Sequence, residues 1–262
     1  MLKRVLIIAV ATMIAASRAS AADLPVRPGP GPAYYPVVRA YDWGGGYIGI
    51  NGGYGFGQSE WSDPLNPSTI TSTGNFNVNG GLVGATAGVS GQFGAFVIGV
   101  EGDFDWQGIS GTSGSTFCTS LITSAAIGLQ PPGGLSCKTE SNWLGTFRAR
   151  FGYAWDRLLV YGTAGGAGAN LNMSLNGLPV QNKAEFGWTA GAGVEVAFAD
   201  NWTAKIEYLF VDLVGNAATC NHGYSCGNDL AATAILSAAA ANNAVKFNEN
   251  IVRVGLNWKF GH

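Results

Sequence analysis

Charge is what this 262-residue chain has least of: Asp, Glu, Lys and Arg make up only 11% of it, against about 25% in an average soluble domain. So sparse a supply excludes an ordinary water-facing surface. With 14 basic and 16 acidic residues there is also no basic face or stripe for a nucleic acid. Histidine is almost missing. His222 and His262 are the only two, so no strand carries the imidazole that a Ser-His site requires. Asp103 and Asp105 form a carboxylate pair, but arginines elsewhere in the pattern match them. The sequence therefore predicts no enzyme, no catalytic residue, no cofactor and no metal ligand set. After residue 21, no uninterrupted apolar run reaches the roughly 20 residues of a membrane-spanning helix.

What is present begins with an export signal. Lys3 and Arg4 precede the apolar run Val5 to Ala16, and Ala19-Ser20-Ala21 supplies small residues for cleavage. Residues 1–21 are thus expected to be removed, with the mature chain starting at Ala22. That cut takes away Lys3, Arg4 and Arg18 but no acid, so 14 basic residues less three leaves 11 against 16 acidic, a net charge of about −5. Residues 22–42 contain Pro25, Pro28, Pro30, Pro32 and Pro36 and are read as an extended periplasmic lead-in.

The remainder, 43–262, is apolar in total, with a positive mean hydropathy and 40 Gly in the whole chain. Apolar content without long apolar runs has to be spread in alternation. In lipid, only helices and closed barrels satisfy every backbone N–H and C=O. The last segment shows the alternation best: Val252, Val254, Leu256, Trp258 and Phe260 fall on one side, and Arg253, Gly255, Asn257 and Lys259 on the other. Phe96 to Trp106, Trp143 to Tyr153, Phe186 to Phe198 and Trp202 to Phe210 read the same way. Tyr47 to Phe56, Leu82 to Phe93 and Leu158 to Met173 are blurred by Gly and Ala. Each is long enough for a tilted span, and bacterial barrels have even strand numbers. The expectation is an all-β fold, an eight-stranded antiparallel transmembrane β-barrel.

Link lengths alternate as well. Short links are expected near Gln92-Phe93-Gly94, Asp156-Arg157 and Asp200-Asn201, and long ones over Gly57 to Asn79, Gln107 to Glu140, Ser174 to Ala184 and Asn216 to Lys246. Short periplasmic turns and long outer loops belong to membrane barrels. A secreted sandwich or lipocalin-like barrel would crowd its polar faces with Lys and Glu. Here those faces are nearly bare, and Trp143, Tyr153, Trp188, Phe198, Trp202, Phe210, Trp258 and Phe260 stand near the ends of apolar faces, as interface girdles do.

The charges of the spans collect on the inward faces. Glu101, Asp103 and Asp105 on the third strand oppose Arg148 and Arg150 on the fourth, and Lys205 and Glu207 on the seventh sit beside Glu249, Arg253 and Lys259 on the eighth, with Glu195 nearby. Enclosed charges are expected to pair. Eight strands leave an interior about wide enough to be filled by side chains, whereas water-filled porins have about 16 to 18. A polar plug is therefore the leading reading and a narrow diffusion channel the alternative, with inward glycines such as Gly191 and Gly193 leaving free volume for it. Four cysteines allow three connectivities in an oxidising compartment. Pairing within loops, Cys118 with Cys137 and Cys220 with Cys226, is preferred.

The stretch Trp43-Gly-Gly-Gly-Tyr-Ile-Gly-Ile-Asn-Gly-Gly-Tyr-Gly55, preceded by Ala22-Asp-Leu-Pro and closed by Val252-Arg-Val-Gly-Leu-Asn-Trp-Lys-Phe260, resembles the small outer-membrane proteins of alphaproteobacteria, the RopB-type, porin-like family with an OmpA-like barrel. The resemblance implies residence in the cell outer membrane and a structural, surface-interaction role in envelope integrity. It also implies contact with outer-membrane lipid and lipopolysaccharide, and a host or surface ligand at the outer loops. For some members it implies haemin binding, for which His222, near Tyr224, is the candidate ligand.

Overall fold

A computed structural model describes residues 41–62, 72–118, 135–214 and 244–260. Eight strands run β1 (Gly45–Ser62), β2 (Phe76–Phe93), β3 (Phe96–Ser113), β4 (Cys137–Trp155), β5 (Leu158–Leu175), β6 (Leu178–Ala197), β7 (Trp202–Val214) and β8 (Ala244–Phe260). Each pairs antiparallel with its neighbour in sequence, and β1 closes the ring against β8, with Tyr54 opposite Val252 and Gly46 opposite Phe260. Closure removes every sheet edge, which is what a strand assembly needs where no water can reach its backbone.

Gly94-Ala95, Asp156-Arg157 and residues 198–201 make the short links, all on the rim where the described chain begins and ends. Gly94 and Asp156 take the left-handed backbone these tight turns require. On the far rim, the long link expected over Ser174 to Ala184 does not exist. β5 continues to Leu175 and β6 begins at Leu178, joined by Asn176 (φ 51) and Gly177 (φ 84). Two consecutive left-handed residues, Asn then Gly, form the hairpin turn whose twist suits paired strands. The dipeptide was the available signal.

Most strands also run further outward than the alternation suggested. The reason is an inversion of the pattern. In the half nearest the short turns, outward residues are apolar and exposed, including Ile50, Val83, Phe151, Val194, Ile206 and Val254, while the inward residues beyond the first turn of the rim are polar. In the far half, the inward residues Trp61, Val78, Ile109, Leu171, Leu175, Leu209, Leu213 and Phe247 are apolar and buried. There Asn77, Asn79, Thr112 and Lys246 face out and are exposed. Period two holds throughout, but the medium outside changes from acyl chains to water and the faces trade character.

The apolar belt circles every strand. Replacing Val254, 60% exposed at its middle, with Arg is expected to destabilise the barrel in lipid vesicles by about 2–4 kcal/mol, read by guanidinium unfolding. The same change at Asn77, above the belt, should have little effect. Equal effects at the two positions would mean that the belt does not face lipid.

Cys118 and Cys137 form a disulfide at the base of the β3–β4 link. Cys220, Cys226 and His222 lie outside the described residues, as do the expected signal and nearly all of the proline-rich lead-in.

Candidate functional site

Among the described residues, the lumen is where chemistry-bearing side chains converge, and inward parity puts them there. Along β1 the inward positions include Tyr47 and Asn51; along β3, Glu101, Asp103, Asp105 and Gln107; along β4, Arg148 and Arg150; along β7, Lys205 and Glu207. All are buried.

Arg148 and Arg253 form the centre. Arg148 Nη2 donates to Glu101 Oε1 and Asp103 Oδ2, each at 2.5 Å, and Nη1 to Glu207 Oε1 at 3.2 Å. Arg253 Nη2 reaches Glu207 Oε2 at 2.6 Å and Asp103 Oδ1 at 2.9 Å, while Nη1 reaches Asp105 Oδ2 at 3.0 Å. Lys205 Nζ donates to Glu101 Oε2 at 2.9 Å, spanning from β7 to β3 rather than pairing with β8. Arg150 joins Glu195 and lies over the Tyr161 ring, 3.7 Å from its centroid. Forked guanidinium contacts to two or three carboxylates fix both partners' orientation as well as neutralising them.

Neutral donors complete the network, and the alternation of charges alone did not single them out. Tyr47 Oη donates to Glu101 at 2.9 Å, Tyr161 Oη to Glu207 at 3.0 Å, Thr86 to Asp103 at 2.6 Å and Thr146 to Asp103 at 3.0 Å. Thr203 and Asn257 bond Glu195. Inward parity on the blurred strands β1, β2 and β5 was the signal that could have found Tyr47, Thr86 and Tyr161.

Two of the charges expected in this network stand apart from its ion pairs. Lys259 Nζ donates to the Asp42 carbonyl at 2.6 Å and faces the Tyr41 ring, because β8 brings it to the near rim. Glu249, level with Gly57 on β1, lies beyond Arg253 toward the apolar end and makes no ion pair among the described residues.

Gly191 and Gly193 do not leave free volume. A Cβ at Gly193 would meet Tyr161 Cζ at 2.6 Å, and one at Gly191 would meet Leu209 Cδ2 at 2.6 Å. The space they release is occupied by neighbouring large side chains, which corrects the expectation of free volume there.

Apolar clusters flank the polar section on both sides. On the near side, Tyr41, Trp43, Val97, Ala154, Leu159, Tyr161 and Ala197 pack together. Tyr41 stands edge-on to Trp43 with centroids 4.9 Å apart, and Trp43 Nε1 donates to the Asp156 carbonyl at 2.8 Å. Burial, then the nearby Glu195 carboxylate, pushes the Tyr41 phenol up to about 12, so it stays a neutral part of this layer. On the far side, Trp61, wholly buried, donates from Nε1 to Thr139 Oγ1 at 2.8 Å and anchors a cluster that takes in Phe117 and the Cys118–Cys137 disulfide.

Outside the wall, Tyr153, Trp188, Phe198, Trp202, Trp258 and Phe260 are exposed. Trp143 and Phe210 are half-buried, stacked on Phe104 (centroids 6.0 Å apart) and tilted against Trp188 (5.4 Å).

Comparison with known proteins gives a consistent result. A family model described as an outer membrane protein beta-barrel domain matches residues 6–260. The 31 kDa outer-membrane immunogenic protein of Brucella melitensis is 36% identical over 276 residues, covering 99% of this chain and 100% of its own length. The 25 kDa outer-membrane immunogenic protein of Brucella canis is 30% identical, with 99% of each chain covered. Among solved structures, OprG from Pseudomonas aeruginosa aligns over 85% of this chain and 99% of its own at 12% identity and a TM-score of 0.45. The Brucella relatives bear the names of outer-membrane proteins, not of enzymes.

Proposed function

The chain belongs to the outer-membrane protein β-barrel family and resides in the cell outer membrane, and from that premise we propose that it is a sealed, non-conducting barrel that contributes to envelope integrity and carries its far-rim segments to the cell exterior. One observation carries this reading: among the described residues the lumen holds a buried apolar cluster, then an ion network, then a second buried apolar cluster. A conducting pore needs a continuous wet path. Here, any ion would have to pass two layers of buried aromatic and aliphatic side chains.

The extended far half supports the second part of the proposal. Its outward face is polar and its interior apolar, like a small soluble domain continuous with the membrane span. Such a platform raises the far-rim strand ends, from which the β1–β2, β3–β4 and β7–β8 links leave, above the membrane surface. The immunogenic relatives bear names that fit exposed outer segments. In this reading the belt contacts lipid and lipopolysaccharide, and any host or surface ligand meets the outer links.

The test is electrical. Purified protein reconstituted in planar bilayers is expected to show no discrete conductance steps at physiological salt. Reproducible steps that vanish in Arg148→Ala or Glu101→Ala would replace this proposal with a channel.

A further inference from the structure

The chain just before β1 does not trail away from the barrel. At Gly45 the backbone takes φ 108, a conformation open to glycine and strained for any residue with a Cβ. Residues 41–44 lie folded into the near mouth, with Tyr41 8% and Trp43 3% exposed. Asp42 Oδ1 accepts from Gly44 N at 2.8 Å and tightens the bend.

These four residues reach right across the rim. Tyr41 N donates to Asp156 Oδ1 at 3.0 Å and Trp43 Nε1 to the Asp156 carbonyl at 2.8 Å. Asp156 belongs to the β4–β5 turn, which stands half-way round the eight-strand ring from β1, so the segment spans the mouth from side to side. On one flank, at the end of β2, Trp43 N donates to Gln92 Oε1 and the Trp43 carbonyl accepts from Ser90 Oγ, both at 2.6 Å. On the other flank, Lys259 Nζ on β8 donates to the Asp42 carbonyl at 2.6 Å, 4.8 Å from the centre of the Tyr41 ring. The Arg157 guanidinium lies 5.7 Å from that ring and reaches Asp200 of the β6–β7 link at 3.2 Å.

The positions of these partners fix an order of events. Ser90 and Gln92 are on the strand next to β1, but Asp156 and Lys259 come within reach only when the strands have taken their places in the ring. Among the described strands, β1 and β8 are the neighbours that are not consecutive in sequence. Their pairing closes the longest loop of the fold, and the segment adds its contacts after that closure.

We propose that Tyr41–Gly44 is a latch: hinged at Gly45, it docks after the ring has closed, holds the near end of the β1–β8 seam, covers the mouth, and leaves before the seam opens. Undocked, it uncovers Ala154, Leu159 and Ala197, wall residues of the same cluster. Contacts made after the transition state slow unfolding and leave the folding rate alone. The latch therefore sets how long a closed barrel lasts, not how fast it forms, and it acts whether or not the lumen conducts.

The experiment uses the full-length chain isolated from membranes, unfolded in urea and refolded in detergent. Trp43→Ala is expected to unfold about a hundredfold faster than wild type while refolding within about twofold of its rate. Lys259→Met, which keeps the stem and removes the donor to Asp42, is expected to unfold about tenfold faster, with refolding again unchanged. Should Trp43→Ala fail to fold, Gly45→Ala strains the hinge, leaves every anchor in place and is expected to show the same signature. A second readout is the mouth itself. Ala197→Cys places a thiol beneath the latch, and its reaction with a water-soluble maleimide, above the background of the chain without that substitution, is expected to be about tenfold faster once Trp43→Ala is added. Two results would overturn the latch. One is slower refolding with wild-type unfolding rates in Trp43→Ala and Lys259→Met, which means that the segment docks as the ring forms. The other is rates and labelling unchanged in every variant, which means that the segment holds nothing shut.

Discussion

Replacing Arg253 with Ala is expected to lower the unfolding free energy of the barrel by about 3–5 kcal/mol, because breaking a buried ion pair from one side leaves uncompensated charge behind. Four carboxylates lose a partner at once: Asp103, Asp105 and Glu207, all within 3.0 Å of the guanidinium, and Glu101 at 4.0 Å. Their residual neighbours are insufficient. Arg148 still reaches Asp103 and Glu207, but Asp105 keeps no ion pair among the described residues. The control is Lys138→Ala. Lys138 and Glu140 are 2.6 Å apart but 42% and 40% exposed, and an exposed pair contributes about 0–1 kcal/mol. Guanidinium unfolding in lipid vesicles measures both. If Arg253→Ala is no worse than Lys138→Ala, the network does not hold the strands together.

Replacing Trp61 with Ala should be equally damaging through a different force. The indole is fully buried in the far apolar layer, and truncation of such a side chain costs about 3–5 kcal/mol in lost transfer energy and cavity. Trp61→Phe keeps most of the packing and forgoes only the Nε1 bond to Thr139, worth about 1 kcal/mol. The layer lies above the lipid belt, so the damage should be directional. Limited proteolysis from outside is expected to cut Trp61→Ala faster at the far rim while the membrane section stays protected. Unaltered stability and an unaltered digestion pattern would show that this end of the barrel is loosely packed.

The membrane half was legible because one rule governs it. In Val252 to Phe260, every outward residue meets acyl chains and every inward one meets other polar groups, so composition and parity coincide. The same rule stopped short of Val211 and Leu213 and of Phe247 and Ile251, which the strands take in. These are apolar and point inward, and a reading that takes apolar to mean outward ends the strand or turns the residue to the wrong face. Local sequence does not announce where along a strand the outside stops being lipid. Asn176-Gly177 was readable but was absorbed into a polar stretch.

Pairing within the lumen was legible only to nearest neighbours. Glu101 opposite Arg148 and Glu207 opposite Arg253 follow from adjacent strands. Lys205 to Glu101 does not, because it crosses the interior, and which residues meet across a barrel depends on stagger and tilt that accumulate around the ring. Compartment, β class, strand number and the inward placement of charge are thus written in composition and period two, which act one strand at a time. The cross-barrel pairing of charges, the change of faces halfway up and the isolation of Glu249 from the ion pairs came from closing the ring, since only closure sets the heights at which side chains from distant strands confront one another.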